Sequence, residues 1–192
     1  FAGCWVVVSL LLVSCSTPGY QPTKPWHTER GFKNLHAEKE NGFFDYWYMR
    51  WFSDVDWQDQ AEQAHLIPTA EPNMDAIEAP DPDVRQVTWI GHSTFLLQYQ
   101  GLTVLTDPIF SDRASPVSFA GPTRLTPLPL PLEALPPVDA VVISHDHYDH
   151  LDEASIKALG PDVHYYVPLK LKGWFLEQGI EAERVTELDW WQ

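Results

Sequence analysis

The densest group of potential metal ligands in the chain is one run of six consecutive residues, HDHYDH at positions 145–150. Three imidazoles and two carboxylates at this spacing suit zinc and similar divalent ions. The run follows the apolar segment 139–144, which predicts a buried strand whose carboxyl end carries the site. The alternative is an exposed histidine-rich loop that binds metal by accident, and the clean strand before it argues against this interpretation.

Alternation along an extended backbone would place His145, His147 and Asp149 on one side of this run. We predict that His145 and His147 hold one metal ion, and that Asp149 and His150 hold a second. Two zinc ions lower the pKa of a bound water and stabilise charge on an attacked phosphoryl or carbonyl oxygen. Metal-dependent hydrolysis is therefore the predicted chemistry, with Asp149 as a catalytic residue.

Two residues outside the run are candidates for the same site. Asp107 follows the strand-like segment 102–106 and is the second predicted catalytic residue, which would act by orienting a ligand imidazole. The alternative is that it closes an Asx turn. His92 lies in the small-residue break 90–94, where it is predicted to line the site, with a role as a third ligand as the alternative. No serine or cysteine stands in a nucleophile context such as G-x-S-x-G.

The composition restricts the partners. The 192 residues carry a formal net charge of −15, and their hydrophobic content of 44% is typical of globular proteins. Such an acidic chain repels the phosphate backbone of nucleic acids, so we predict that the protein does not bind nucleic acid. Anionic lipid would not attract it by charge either. The sequence leaves the oligomeric state open.

The N-terminal segment indicates export. The sequence starts without Met inside an apolar run, residues 1–13, which resembles the core of a signal peptide. The segment LVSC at 12–15 resembles a bacterial lipobox, which predicts lipidation at Cys15. Ser16 after the cysteine favours the outer membrane. We therefore expect a lipid-anchored protein of the bacterial cell envelope, on the periplasmic side; a plain membrane anchor or an ordinary secretory signal is the alternative.

Three regions are predicted along the chain: a partial signal segment (1–15), a tether with an aromatic extension (16–84), and the main domain (85–192). Within the extension, the aromatic segment 43–57 predicts a short amphipathic helix. It either packs on the main domain or contacts a membrane surface. The acidic, proline-rich segment 71–83 is predicted to be a linker.

The main domain is predicted to be α/β. Antiparallel hairpins come first, a long proline-rich loop follows at 111–137, and a βαβαβ unit completes the pattern. The predicted strands are 84–90, 94–99, 102–106, 139–144, 164–167 and 184–188, and the predicted helices are 151–159 and 169–178.

The ligand run after an apolar strand resembles that of the metallo-β-lactamase fold hydrolases. A wider similarity over residues 85–191 is to the N-acyl-phosphatidylethanolamine-hydrolysing phospholipase D (NAPE-PLD) family and to the related RomA outer-membrane proteins. The segments that carry it are 87–94, 105–111, 113–116, 121–122, 135–140, 143–152, 167–169 and 187–191.

This resemblance implies an αββα sandwich with a dinuclear zinc site and a phospholipase D activity that yields phosphatidic acid and an N-acylethanolamine. It assigns the four predicted ligands, two to each zinc ion, and places Asp107 near the metals. The family takes three further ligands, a His, a bridging Asp and a last His, from sequence beyond Gln192. We therefore expect the chain to be the N-terminal half of the domain, a fragment at both ends, with little activity alone.

The substrate is therefore predicted to be an N-acylated phospholipid. One alternative within the same fold is hydrolysis of another ester, such as a lactone, because the fold accommodates many substrates. The alternative from a different class is a non-catalytic envelope lipoprotein in which metal binding is vestigial.

Overall fold

The computed structural model describes residues 21, 23–36, 42–54 and 60–192. Two compact units divide the chain, Phe1–Val55 and Asp56–Gln192, and each is described by itself. The predicted lipidation site at Cys15 lies outside the described residues. Within those ranges, no helix has the length and apolar character needed to cross a membrane.

The first unit contains a short antiparallel hairpin and one helix. Strands β1 (His27–Thr28) and β2 (Gly31–Phe32) pair with each other, and helix α1 spans Phe43–Phe52. The predicted helix is thus present but ends at Phe52, because Ser53 takes an extended conformation. The last part of the predicted segment, residues 55–57, is not among the described residues.

The second unit begins with short helical segments. Helix α2 (Gln60–Gln63) runs into a 3₁₀ turn at 64–66. Helix α3 (Met74–Glu78) lies where the sequence predicted only a linker, and that prediction is wrong at these residues. The Asn73 side chain accepts a hydrogen bond from the Ala76 amide at 3.3 Å, which caps the helix. Ile77 is buried, so the helix contributes to the core.

Six strands form one sheet in the second unit, in the order of the sequence. The first three pair antiparallel, and the last four are parallel. Hairpins followed by a parallel unit were predicted, and the structure confirms them. The strands are β3 (Gln86–Gly91), β4 (Thr94–Tyr99), β5 (Leu102–Thr106), β6 (Ala140–Val142), β7 (His164–Pro168) and β8 (Val185–Leu188).

Two helices connect the parallel strands, α4 (Glu153–Leu159) after β6 and α5 (Lys172–Glu177) after β7. Both are shorter than the segments predicted from sequence. Side chains alternate between the two faces of a strand, so the core forms between one face of the sheet and these two helices. Fully buried members of that core are Leu96, Leu105, Val141, Ile156, Tyr165 and Phe175.

The opposite face of the sheet is apolar and partly exposed. Val87 and Trp89 on β3 pair with Leu97 and Phe95 on β4, so these side chains share that face. Val87 and Trp89 remain well exposed. The part of the chain that the structure describes therefore presents a sheet with helices against one face and apolar side chains on the other.

The connection from β5 to β6 is the predicted long loop, and it is ordered by specific contacts. A bridge between Arg113 and Thr123 closes part of it, and a 3₁₀ turn occupies 132–134. The Nη2 atom of Arg124 donates to the carbonyls of Ile109 at 2.8 Å and Ser111 at 3.0 Å. These bonds hold the beginning of the loop against its middle.

Candidate metal centre

Adjacent parallel strands bring the predicted site residues to one edge of the sheet. Strand β5 ends just before Asp107, and β6 ends just before the ligand run. The two strands pair in parallel, so their carboxyl ends meet there. The Asp107 amide also donates to the carbonyl of Val142 at 2.9 Å. The edge therefore places Asp107 beside residues that lie far along the chain.

Asp107 is buried and accepts three hydrogen bonds. Its Oδ1 accepts from the Ser144 amide at 2.7 Å, and its Oδ2 accepts from the Ser144 hydroxyl at 2.7 Å. The third donor is His150, whose Nδ1 lies 2.9 Å from Oδ2. A proton held on Nδ1 leaves Nε2 of His150 as its metal-binding atom, as is common where a carboxylate orients a ligand imidazole.

The ligand run is a turn, which corrects the prediction of an extended backbone. Both the His150 and the Leu151 amides donate to the His147 carbonyl, at 2.9 and 2.8 Å. The turn nevertheless brings His145 and His147 together, with 3.0 Å between Nε2 of the first and Nδ1 of the second. The ring centroids of His145 and His150 are 4.0 Å apart.

His92 lies beside the two predicted ligands Asp149 and His150. One potential ligand atom from each of His92, Asp149 and His150 lies within 4.8 Å of those of the other two. His92 Nε2 is 2.8 Å from Asp149 Oδ2, and His150 Nε2 is 3.4 Å from the same oxygen. Burial acts to raise the pKa of Asp149, but a backbone hydrogen bond, the charge of His150 and the hydrogen bond from His92 together lower that pKa below its usual value. The carboxylate is thus kept ionised, as metal binding requires.

The donors present fit a divalent ion of the zinc type. Imidazole nitrogens and a carboxylate converge on one edge, and an ordered carboxylate supports one of the imidazoles. His145 and His147 form one close pair, while Asp149 and His150 form another. His145 also lies close to His150, so the division of the ligands between two ions stays a prediction.

The sequence did not identify the hydrogen-bonding residues around the run. Ser144 contacts Asp107 and also lies 2.9 Å from Nδ1 of His145 through its hydroxyl. Asp152 is another such residue, and its carboxylate accepts from the Ser111 amide and hydroxyl and from the Ser155 hydroxyl. The only feature of the sequence that could have indicated these residues is their position, because they flank the ligand run or follow Asp107 closely.

A large groove adjoins the candidate ligands. It has a volume of about 1020 Å³, and most of its lining is apolar. Segment 67–73 and the proline-rich segment 122–130 form its walls, and Trp89, His92 and Asp149 lie along it. A substrate with an apolar portion would therefore have room beside the candidate metal ligands.

Residues 103–192 match the model of the beta-lactamase superfamily domain. A curated relative, N-acyl-phosphatidylethanolamine-hydrolyzing phospholipase D 1 of Caenorhabditis elegans, is 50% identical over 109 residues, which are 54% of this chain and 31% of the relative. A metal-dependent hydrolase of Pyrobaculum neutrophilum is 36% identical over 69 residues, 36% of this chain and 26% of the relative. The solved isothiocyanate hydrolase from Delia radicum gut bacteria has 34% identity and a TM-score of 0.44, and the match covers 54% of this chain and 40% of that one.

The match over residues 103–192 confirms the fold class predicted from the sequence. The relatives of the chain include NAPE-PLD, so the predicted family resemblance is confirmed as well. The chain spans 31% and 26% of the length of the two curated relatives named here.

Proposed function

We propose that the protein is a metal-dependent hydrolase. The observation that carries this proposal is the convergence of His145, His147, Asp149 and His150 at one sheet edge, with Asp107 hydrogen-bonded to one of them. Both curated relatives named above are hydrolases by name, and one is named as metal-dependent. A bound zinc pair would supply an activated water and would stabilise negative charge on the attacked oxygen. Within this chain, Asp107 holds the proton on His150 Nδ1 and so keeps Nε2 free.

The substrate we propose is an N-acyl-phosphatidylethanolamine-type phospholipid, cleaved as by a phospholipase D. The 50% identity with the Caenorhabditis elegans enzyme supports this class. The apolar groove beside Asp149 supports it too, because an acylated substrate needs apolar surface near the reacting bond. Two zinc ions are the proposed cofactors.

The proposed location is the bacterial cell envelope, through a lipid anchor at Cys15. The lipobox-like segment 12–15 supports it. Helix α1 adds an exposed aromatic set, with Tyr48, Trp51 and Phe52 all more than half exposed within their unit. Aromatic side chains of this kind suit the membrane–water interface.

The test uses the natural full-length protein with zinc, given vesicles of N-acyl-phosphatidylethanolamine or a simple acyl lactone. We expect phosphatidic acid and N-acylethanolamine from the vesicles, and a loss of more than 100-fold in rate for Asp149→Ala, because the rate depends on the metal-activated water. The exposed Asp162→Ala serves as the matched control.

Each other result assigns a different function. Opened lactone without phosphatidic acid would contradict the phospholipid substrate and keep the hydrolase. No product from either substrate, together with an unchanged cellular phenotype for His147→Ala and Asp149→Ala, would contradict the hydrolase and favour a non-catalytic lipoprotein.

A further inference from the structure

The turn between β3 and β4 holds His92 in an uncommon conformation. Its φ of 47° lies in the left-handed region, which is uncommon for residues other than glycine, although asparagine, aspartate and histidine adopt it more often than most. The Trp89 indole donates from Nε1 to the His92 carbonyl at 2.9 Å, and the Thr106 hydroxyl donates to the Ser93 carbonyl at 2.8 Å. A residue that two hydrogen bonds hold in this uncommon conformation, at the edge of the site, suggests a functional role for its side chain.

The support also links the turn to Asp107. The Thr94 hydroxyl donates to the Asp107 carbonyl at 2.8 Å, and the hydroxyl oxygen of Thr94 accepts from the Ile109 amide at 3.2 Å. Both Thr94 and Asp107 are buried. The turn that carries His92 is therefore fixed to the strand end that orients His150.

The side chain of His92 reaches Asp149, 57 residues further along the chain, with 2.8 Å between Nε2 and Oδ2. Its ring meets the His150 ring edge-on, with centroids 5.1 Å apart. Asp149 lies on a turn with a partly exposed side chain, and an exposed carboxylate with no fixed partner rotates freely. A hydrogen bond from His92, which lies on a fixed turn, restricts the rotation of the Asp149 carboxylate.

We propose that His92 is a positioning residue of the metal centre, whose Nε2–H donates to Asp149 Oδ2 and fixes the orientation of this carboxylate beside Nε2 of His150. The inference rests on the proposed metal site but not on any substrate. It assigns the proton of His92 to Nε2, since only a donor can hold an ionised carboxylate. It also accounts for the uncommon conformation of the turn, because this backbone conformation places the imidazole of His92 next to Asp149 in the ligand run.

Metal affinity measured without substrate tests this role. The natural full-length protein and its variants are titrated with Zn²⁺ against a competing chelator, and the Co²⁺-loaded forms are compared by visible absorption. His92→Asn introduces a residue that tolerates the left-handed conformation, but its shorter side chain cannot reach Asp149. We expect it to weaken the binding of one metal equivalent by about 10- to 100-fold, as loss of an orienting partner does.

A conservative variant separates positioning from ligation. His92→Gln offers an amide N–H at about the reach of Nε2, so we expect nearly wild-type affinity and an unchanged Co²⁺ spectrum. His65→Asn, on the exposed 3₁₀ turn, is the matched control and should change neither quantity. The unfolding temperatures of the metal-free variants show whether each one is folded.

Two results would overturn the proposal. Wild-type affinity in folded His92→Asn would show that Asp149 needs no such partner. Equal weakness in the Asn and Gln variants, with a Co²⁺ spectrum that has lost a nitrogen ligand, would make His92 a ligand instead. Because neither result depends on turnover, a failure of the proposed phospholipase activity would leave this test intact.

Discussion

Asp107 Oδ2 and His150 Nδ1 lie 2.9 Å apart and join the end of β5 to the end of the ligand turn, 43 residues later. Both side chains are largely buried, so water competes little for either partner. Ser144 donates to both oxygens of the carboxylate, from its amide to Oδ1 and from its hydroxyl to Oδ2. The imidazole orientation is therefore set before any metal binds.

Replacing Asp107 should weaken both metal binding and the fold. Asp107→Asn keeps the shape but leaves one oxygen for three donors, so we expect a metal affinity lowered by about 10- to 100-fold. The free energy of unfolding should fall by about 1–3 kcal/mol, the usual effect of a buried polar group left without its partner. Chelator competition and denaturant unfolding measure the two effects. Asp162→Asn, on an exposed turn, is the control, and an equal loss of affinity in both variants would contradict the specific role of Asp107.

The sequence was informative where one physical pattern dominated. The strand-like segments 94–99 and 102–106 predicted a hairpin, because the two residues between them leave room only for a tight turn. The apolar segment before the histidines predicted β6 and, with it, the edge of the sheet that holds the ligands. The structure confirms both. Asp107 was found because it follows such a strand directly.

Other features depend on contacts that no local pattern reveals. Helix α3 forms in an acidic, proline-rich segment because Ile77 is buried and its carbonyl accepts from Gln98 on β4. The ligand run turns because the His147 carbonyl accepts two amides, which period-two reasoning about an extended chain does not foresee. His92 meets Asp149 only through the sheet pairing that brings the β3–β4 turn to the same edge.

Zinc should stabilise the folded protein. Ligands that converge only in the fold bind the ion in the native state, so a free concentration 100-fold above Kd adds about 2.7 kcal/mol. Thermal unfolding with and without zinc measures this rise in Tm, and a chelator should reverse it. The double variant His145→Ala/Asp149→Ala should lose the response, whereas His36→Ala/His65→Ala, both exposed, should keep it. A full response in the first double variant would place the bound metal elsewhere.

Arg124 should control the order of the proline-rich loop. One guanidinium nitrogen bonds two carbonyls, and a lysine ammonium cannot reproduce the geometry of the planar group. We expect Arg124→Lys to lower the free energy of unfolding by about 1–3 kcal/mol and to speed proteolysis within 111–130. The exposed Arg184→Lys is the control. Unchanged proteolysis in Arg124→Lys would show that the loop is held by its other contacts.

Tyr165 should stay protonated for as long as the domain stays folded. Burial raises its pKa, and its hydroxyl donates to the Gly160 carbonyl at 2.7 Å. A folded-state pKa above the unfolded value means that this stabilisation is complete below about pH 10 and is lost as the pH rises further. In an alkaline absorbance titration, Tyr165 should therefore ionise only when the domain unfolds. Tyr165→Phe should reduce the tyrosinate absorbance that appears together with unfolding. If Tyr165→Phe instead reduces the absorbance that appears before unfolding, the assignment is contradicted.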